Sequence, residues 1–134
     1  MQEYFVDTWY LVAGLDRFDL HHLHARRLEA TLQRTPLITH DAVLTELLAY
    51  FSGQGANSRL QAARAVRDVA MRMNVIPGSR DLFLRALSLY EHRPDKEYSL
   101  VDCMSMTLMR ERGITHVLTN DHHFRQEGFT VVNE

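Results

Sequence analysis

Two aspartates stand where each could reach one common edge of a predicted sheet. Asp7 directly follows the apolar run Tyr4-Phe5-Val6, and Asp121 closely follows the apolar segment 115–119. The carboxyl ends of parallel strands meet at one edge of an open α/β sheet, which is where ligands bind. We therefore expect both side chains to face one crevice. Each also has a simpler interpretation, since aspartate after a strand is a common N-cap of the next helix.

Glu46 is a third candidate, on a helix predicted over about residues 42–51. Its neighbours three and four positions away on that helix are all apolar or aromatic, which places it on or beside the packed face. These neighbours are Ala42, Val43, Ala49 and Tyr50. A buried carboxylate is costly unless it is paired or coordinates a metal. Glu46 is thus expected either to serve a metal or catalytic site or to pair with a nearby arginine.

Asp102 is the fourth candidate, and its position supports two interpretations. Ser99 and Asp102 have the spacing of a capping box, in which the serine caps the helix and the acid bonds back to it. Asp102 also shares a helical face with Met106 and Met109, which favours an inward-facing carboxylate. Both interpretations stay open from the residues alone.

Four carboxylates in one crevice point to metal-assisted chemistry. Carboxylate oxygens are preferred ligands of Mg²⁺ and Mn²⁺, and a lone cysteine, Cys103, provides no thiolate motif. Clustered acids repel one another unless some are protonated or a cation neutralises them. A divalent cation held there could polarise a phosphodiester and activate water. The reaction class that fits these residues is metal-dependent phosphodiester hydrolysis.

Short apolar strands alternate with helices along the chain, a pattern typical of a parallel sheet with helices on both faces. Strands are expected at about residues 4–6, 37–39, 74–77, 115–119 and 129–132. Asp19 is a plausible N-cap for a helix over about residues 20–34, whose apolar face would include Leu20, Leu23 and Leu28. Asn57 or Ser58 is expected to cap a helix to about residue 73, and Gly113 to end the helix that carries Asp102. The whole chain, residues 1–134, is expected to form a single domain.

The composition is that of an ordinary globular domain. Hydrophobic residues make up 46% of the sequence, and the formal net charge is −2. The start of the sequence lacks the basic and apolar regions of a signal peptide, and no apolar run approaches the roughly 18 residues that span a bilayer. These features predict a cytoplasmic protein without a membrane segment. Of the 15 basic residues only Lys96 is lysine, which is weak support for phosphate contacts.

The order of the acidic motifs resembles that of PIN-domain ribonucleases, including the VapC-type toxins of toxin–antitoxin pairs. The resemblance covers essentially the whole chain. It rests on the segments Phe5-Val6-Asp7-Thr8, Val43-Leu44-Thr45-Glu46-Leu47, Ser99-Leu100-Val101-Asp102 and Thr119-Asn120-Asp121-His122-His123-Phe124, with Asp19-Leu20-His21-His22 and Gly128-Phe129 as lesser matches.

This resemblance implies a three-layer α/β/α sandwich with a central, mostly parallel sheet and an acidic pocket that holds Mg²⁺ or Mn²⁺. Asp7, Glu46, Asp102 and Asp121 would be the metal-binding and catalytic acids, and Thr119 a supporting hydroxyl. Water would attack an RNA phosphodiester in line and leave a 5′-phosphate. The resemblance further implies a homodimer and, for a toxin, a cognate antitoxin that blocks the pocket. Trp9 is bulkier than the small residue expected beside the first acid.

Several other signals have a simpler interpretation. The cluster His21, His22 and His24 lacks the helical His-x-x-x-His spacing of a zinc pair. His122 and His123 could touch substrate, but solvated turn residues are the default expectation. A helix studded with Arg59, Arg64, Arg67 and Arg72 could bind nucleic acid or an acidic partner; a solvated face is the default there too.

Two other functions compete with the ribonuclease. The first is a receiver-like signalling domain, which also binds Mg²⁺ near aspartates. Members of the receiver family, however, need a lysine at the end of a late strand. Lys96 lies instead in a polar turn. The other alternative is a PIN-like module that binds RNA or protein without cutting, and four intact acids argue against it.

Overall fold

The computed structural model describes residues 2–133, which form five short strands and seven helices. The strands are β1 (Tyr4–Val6), β2 (Leu37–His40), β3 (Asn74–Ile76), β4 (His116–Leu118) and β5 (Thr130–Val132). The helices are α1 (Thr8–Leu15), α2 (His22–Thr31), α3 (Asp41–Phe51), α4 (Ala56–Arg72), α5 (Arg80–His92), α6 (Leu100–Arg112) and α7 (His123–Gln126).

All five strands run parallel in the order β3-β2-β1-β4-β5. The chain first moves from β1 outward to β3, then crosses back over the sheet to β4 and continues to β5. Because such crossovers are right-handed, the two halves place their helices on opposite faces of the sheet. The packing agrees, since α1, α2, α3 and α4 contact one another and α5 packs on α6. The predicted three-layer α/β/α sandwich is confirmed.

The strand order excludes the receiver-like alternative. Receiver domains have the order 2-1-3-4-5, with the switch point between β1 and β3. Here the connections leave β1 and β4 in opposite directions, so the switch point lies between these two central strands.

The core lies on both sides of the central strands. Phe5, Ile38 and Val117 have no exposed surface, and neither do Val43 of α3 and Met106 of α6. Burying each such side chain contributes about 1.5–3 kcal/mol. No described helix is long and apolar enough to cross a membrane.

Most predicted elements are present, but α2 and α4 begin differently from the prediction. Helix α2 begins at His22, after a turn in which Asp19 accepts the His21 N–H at 2.8 Å. Leu20 therefore lies outside the helix and is 91% exposed, and Leu23 is 68% exposed. The buried face of α2 is made by Ala25 and Leu28. The apolar face predicted through Leu20 and Leu23 is wrong, because Leu20 precedes the helix and Leu23 lies on the side of α2 that faces away from Ala25 and Leu28.

The predicted cap of α4 is also wrong. The helix begins at Ala56 directly after Gly55, and neither Asn57 nor Ser58 precedes it as a cap. Gly55 has φ +96°, a backbone conformation that glycine adopts at little cost. Gly55 occupies the N-cap position of α4, so the helix begins without a side-chain cap.

Candidate active site

The site lies at the carboxyl ends of β1 and β4, the switch point of the sheet. Asp7 is the first residue after β1 and is only 7% exposed. Its backbone N–H donates to the Leu118 carbonyl at 3.2 Å, so the pairing of the two strands continues one residue past β1. This contact holds Asp7 beside the residues that follow β4.

Thr119 connects two of the acids. Its hydroxyl donates to Asp7 Oδ2 at 2.7 Å and accepts the backbone N–H of Asp121 at 3.0 Å. Thr119 is fully buried, so water cannot replace either bond. The supporting hydroxyl predicted from the sequence therefore touches one acid directly and orients the backbone of another.

Burial dominates the electrostatics of Asp7. It raises the pKa of the carboxyl from 3.8 to about 7, against the opposing hydrogen bonds from Thr119 and from the Thr8 backbone. The negative charges of Asp102 and Glu46 raise the pKa further, which places both close to Asp7. No lysine or arginine forms an ion pair with Asp7 within residues 2–133. Asp7 is thus a buried acid whose charge requires a cation that this part of the chain does not supply.

Asp102 has both of the roles that the sequence left open. Ser99 and Asp102 form a complete capping box, with reciprocal bonds of 3.0 Å. Burial also raises the pKa of Asp102, and the charges of Asp121 and Glu46 add to this effect. The capping box therefore positions the carboxylate, because its hydrogen bonds hold Asp102 at the start of α6 beside the other acids.

Glu46 is half-buried, because Val43 beneath it is buried whereas Ala49 and Tyr50 are exposed. Glu46 therefore lies beside the packed face of α3, with one side toward the core and the other toward solvent, as expected. The Thr8 hydroxyl donates to Glu46 Oε1 at 2.5 Å. No arginine pairs with Glu46 in the described chain. The structural-pair interpretation is therefore not supported.

The sequence analysis missed Thr8, although it stands directly after Asp7. In the structure its hydroxyl donates to Glu46, and its backbone N–H acts to lower the pKa of Asp7. A hydroxyl residue beside a strand-end acid was the available signal. Thr8 and Thr119 hold the acids on either side of the β1 terminus.

The carboxylate that pairs with arginines is Glu127, which the sequence analysis did not single out. Its side chain is 5% exposed and accepts hydrogen bonds from Arg93, Arg110 and Tyr98. Burial would raise the pKa of Glu127, but these three donors outweigh it and hold the pKa at about 2. Glu127 is thus a satisfied structural acid, in contrast to Asp7.

Asp121 is partly exposed, and two histidines follow it. Its Oδ1 accepts the backbone N–H of His123 at 2.9 Å, and the His123 ring lies against it. The expectation of two solvated histidines holds for His122, whose side chain is 70% exposed, and is wrong for His123, at 17%. Tyr98 packs edge-on against the His123 ring and covers it.

The four acids share one electrostatic site without converging on a single point. Among residues 2–133, the one group of three donors within 4.8 Å of one another is Asp121, His122 and His123. The four acids interact instead through their charges: the negative charge of Glu46 raises the pKa of both Asp7 and Asp102. Such spacing suits Mg²⁺ or Mn²⁺, because Mg²⁺ commonly keeps several waters and takes only one or two carboxylates directly. The buried, cation-deficient Asp7 and an all-oxygen donor set fit a divalent ion.

An open parallel sheet with clustered carboxylates at its switch point has the architecture of a metal-dependent nuclease. The PIN domain profile matches residues 4–129, and the chain belongs to the PIN-domain family, a family of metal-dependent nucleases.

Two comparisons lead to the same relative. VapC20 of Mycobacterium tuberculosis, a 23S rRNA-specific endonuclease, is 30% identical over 129 residues, or 96% of each chain. The crystal structure of M. tuberculosis VapC20, a sarcin-ricin loop cleaving toxin, matches with a TM-score of 0.87 and 26% identity. This match covers 98% of this chain and 99% of that one. VapBC2 from Rickettsia felis, solved with a promoter DNA fragment, matches over 98% of both chains with a TM-score of 0.71. At 15% identity this likeness concerns the fold alone.

Proposed function

We propose that this protein is a Mg²⁺- or Mn²⁺-dependent endoribonuclease whose metal-binding and catalytic acids are Asp7, Glu46, Asp102 and Asp121. The observation that carries the proposal is the environment of Asp7, a buried acid at the switch point, crowded by Asp102 and Glu46 and without a cationic partner in the described chain. A divalent ion there supplies the positive charge that hydrolysis of a phosphodiester requires.

Other residues of the site orient these acids. Thr119 and Thr8 orient Asp7 and Glu46 through their hydroxyls, and the Ser99 capping box orients Asp102. Orientation before substrate arrives reduces the reorganisation that would otherwise accompany the reaction. A water attacking the phosphodiester in line would leave a 5′-phosphate.

RNA is the substrate class we assign, and ribosomal RNA is the first target to test. The 30%-identical relative is named a 23S rRNA-specific endonuclease, and both chains are covered almost completely. The match to a sarcin-ricin loop cleaving toxin supports a toxin role. A cognate antitoxin, a single domain and a homodimer are further parts of the proposal, and the antitoxin and the homodimer follow from the resemblance to VapC-type toxins. Co-expression with a neighbouring antitoxin gene and light scattering of the purified chain test these two assignments.

The decisive experiment is cleavage of ribosomes and of purified 23S rRNA by the parent and by Asp7→Asn. Each reaction is run with Mg²⁺, Mn²⁺ or EDTA, and the 5′ ends of the products are analysed. Asp95→Asn is the matched control, because it removes the same charge from an exposed turn. We expect metal-dependent cleavage by the parent and by the control only. Equal cleavage by Asp7→Asn would refute the site assignment.

A PIN-like module that binds RNA without cutting remains the competing function, and no described contact favours it. It predicts RNA binding by the parent with no cleavage in any metal. The same experiment therefore decides between the two functions.

A further inference from the structure

His40 is a fully buried histidine outside the set of proposed catalytic acids. It is the last residue of β2 and directly precedes α3. We infer that His40 is a positioning residue of the proposed metal site, because its ring holds the start of α6, which carries Asp102, against the sheet near Asp7. This inference rests on the proposed function, since it concerns the geometry of the same four acids.

The His40 ring bonds to α6 about one turn after Asp102. Its Nε2 lies 2.9 Å from the Oγ of Ser105, which is also fully buried. Residues three apart on a helix lie on the same face, so Asp102 and Ser105 share one face of α6. A displacement of α6 at Ser105 would therefore also move Asp102 relative to the sheet.

The hydroxyl of Ser105 determines which His40 nitrogen carries the proton. Ser105 donates its one hydroxyl proton to the Val101 carbonyl at 3.0 Å. His40 Nε2 must therefore donate to Ser105 Oγ, and Nδ1 is an acceptor that no described residue bonds. A second ring proton would be a buried donor without an acceptor.

The His40 ring is accordingly neutral. Burial lowers the pKa of His40 from 6.5 to about 4, although the charge of Asp41 opposes this shift. A neutral donor can hold α6 in place without a positive charge, which would repel a divalent cation bound by the neighbouring acids. An arginine or lysine at this position would carry that charge.

The same ring contacts the strand that ends at Asp7. The rings of His40 and Phe5 lie 5.7 Å apart at an angle of 37°. Phe5 and Asp7 are two positions apart along extended backbone, so their side chains point to the same side of the sheet. Phe5 pairs with Ile38 in the register of β1 and β2, and two positions further on stand Asp7 and His40. His40 therefore lies where the end of β1 faces α6.

His40 also occupies the N-cap position of α3, the helix that carries Glu46. Residues favoured at this position accept a hydrogen bond from the first turn through the side chain, but His40 forms no such bond. Its backbone leads into α3 while its ring bonds to α6. One residue thus joins the three elements that position Asp7, Glu46 and Asp102.

The test compares two amides of different reach at position 40. Glutamine can place its side-chain nitrogen near the position of histidine Nε2, so His40→Gln keeps a donor to Ser105. Asparagine reaches only the position of Nδ1, so His40→Asn loses this bond. Ser105→Ala removes the acceptor instead. Val69→Ala, which truncates a buried side chain in the last turn of α4, is the control for lost stability.

Two quantities are measured on the full chain, at a temperature at which thermal unfolding shows every variant to be folded. The first is the Mn²⁺ dissociation constant of the metal-free protein, by isothermal titration calorimetry. The second is the Mn²⁺ concentration for half-maximal RNA cleavage. We expect His40→Asn and Ser105→Ala to raise both by about three- to tenfold, less than the roughly 10- to 100-fold typical of groups that bond a metal ligand directly. His40→Gln and Val69→Ala should bind Mn²⁺ nearly as the parent does.

Mn²⁺ binding equal to the parent's in His40→Asn and Ser105→Ala would overturn the inference, since the hydrogen bond would then serve only the stability of the core. An equal weakening in Val69→Ala would also overturn it, because the effect would follow from lost stability. If His40→Asn does not fold, Ser105→Ala decides the result. A parent that neither binds Mn²⁺ nor cleaves RNA would refute the proposed function, and the inference with it.

Discussion

Thr119 donates its hydroxyl to Asp7 across 112 residues of sequence, in a 2.7 Å bond that joins the ends of the two central strands. The same oxygen accepts the backbone N–H of Asp121. One buried hydroxyl thereby sets the separation between two proposed metal-binding acids. Parallel pairing of β1 with β4 makes this contact available, because Val6 and Leu118 are register partners.

Replacing Thr119 tests this contact. Thr119→Val keeps the shape of the side chain but removes the donor to Asp7, so a buried carboxylate oxygen loses its partner. We expect a loss of about 1–3 kcal/mol in the free energy of unfolding and cleavage reduced by about 10- to 100-fold. Thr119→Ser keeps the hydroxyl and should behave nearly as the parent. Urea denaturation and Mg²⁺-dependent cleavage measure both effects, and a fully active Thr119→Val would exclude the role.

Asp7→Asn should stabilise the metal-free protein in a pH-dependent manner. The folded pKa of Asp7, about 7, is raised above its ordinary value of 3.8. Folding therefore favours the protonated acid, and this contribution to stability is lost as pH rises from about 4 through 7. Asparagine cannot ionise and avoids that loss. In EDTA we expect Asp7→Asn to melt several degrees above the parent at pH 8, and close to it at pH 4. An advantage equal at both pH values would contradict this explanation.

Glu127 should have the opposite pH dependence. Its pKa, about 2 in the folded protein, is lowered from 4.5, so its stabilisation is complete above pH 4.5 and declines as pH falls toward 2. At pH 7 we expect Glu127→Gln to cost about 2 kcal/mol, because Arg93 and Arg110 lose their shared buried acceptor but remain in contact with solvent.

The surface pair of Arg85 and Glu111 provides the comparison for Glu127. Both of these side chains are substantially exposed, so Glu111→Gln should lower the free energy of unfolding far less than Glu127→Gln does. Urea denaturation at pH 7 and pH 3 measures both variants. If the two substitutions lower the free energy of unfolding equally at pH 7, the buried network around Glu127 contributes no more to stability than the surface pair does.

Thr8→Val tests the orientation of Glu46. The substitution removes the hydroxyl that donates to Glu46 Oε1 but leaves the half-buried glutamate in place. We expect a higher Mg²⁺ concentration for half-maximal cleavage, by about tenfold, with little change in melting temperature. Thr8→Ser should restore the parent's metal dependence. A large loss of stability without a change in metal dependence would show that Thr8 acts in packing only.

The sequence by itself determined the alternation of strands and helices and the placement of Asp7 and Asp121 at strand ends. These are local properties, since apolar runs and turn residues depend on neighbours along the chain. The Ser99–Asp102 capping box and the glycine stop at Gly113 were predictable for the same reason, and both are present.

Only the tertiary structure decided which carboxylates find a partner. Glu127 meets Arg93 and Arg110, whereas Glu46 meets a threonine. The burial of His123 also depended on a contact from a distant segment, the ring of Tyr98. Partner choice depends on distances between residues far apart in sequence, and strand register and helix packing fix those distances. Local residue patterns do not encode these distances. The candidate acids could therefore be identified from the sequence, but their hydrogen-bond and ion-pair partners could not.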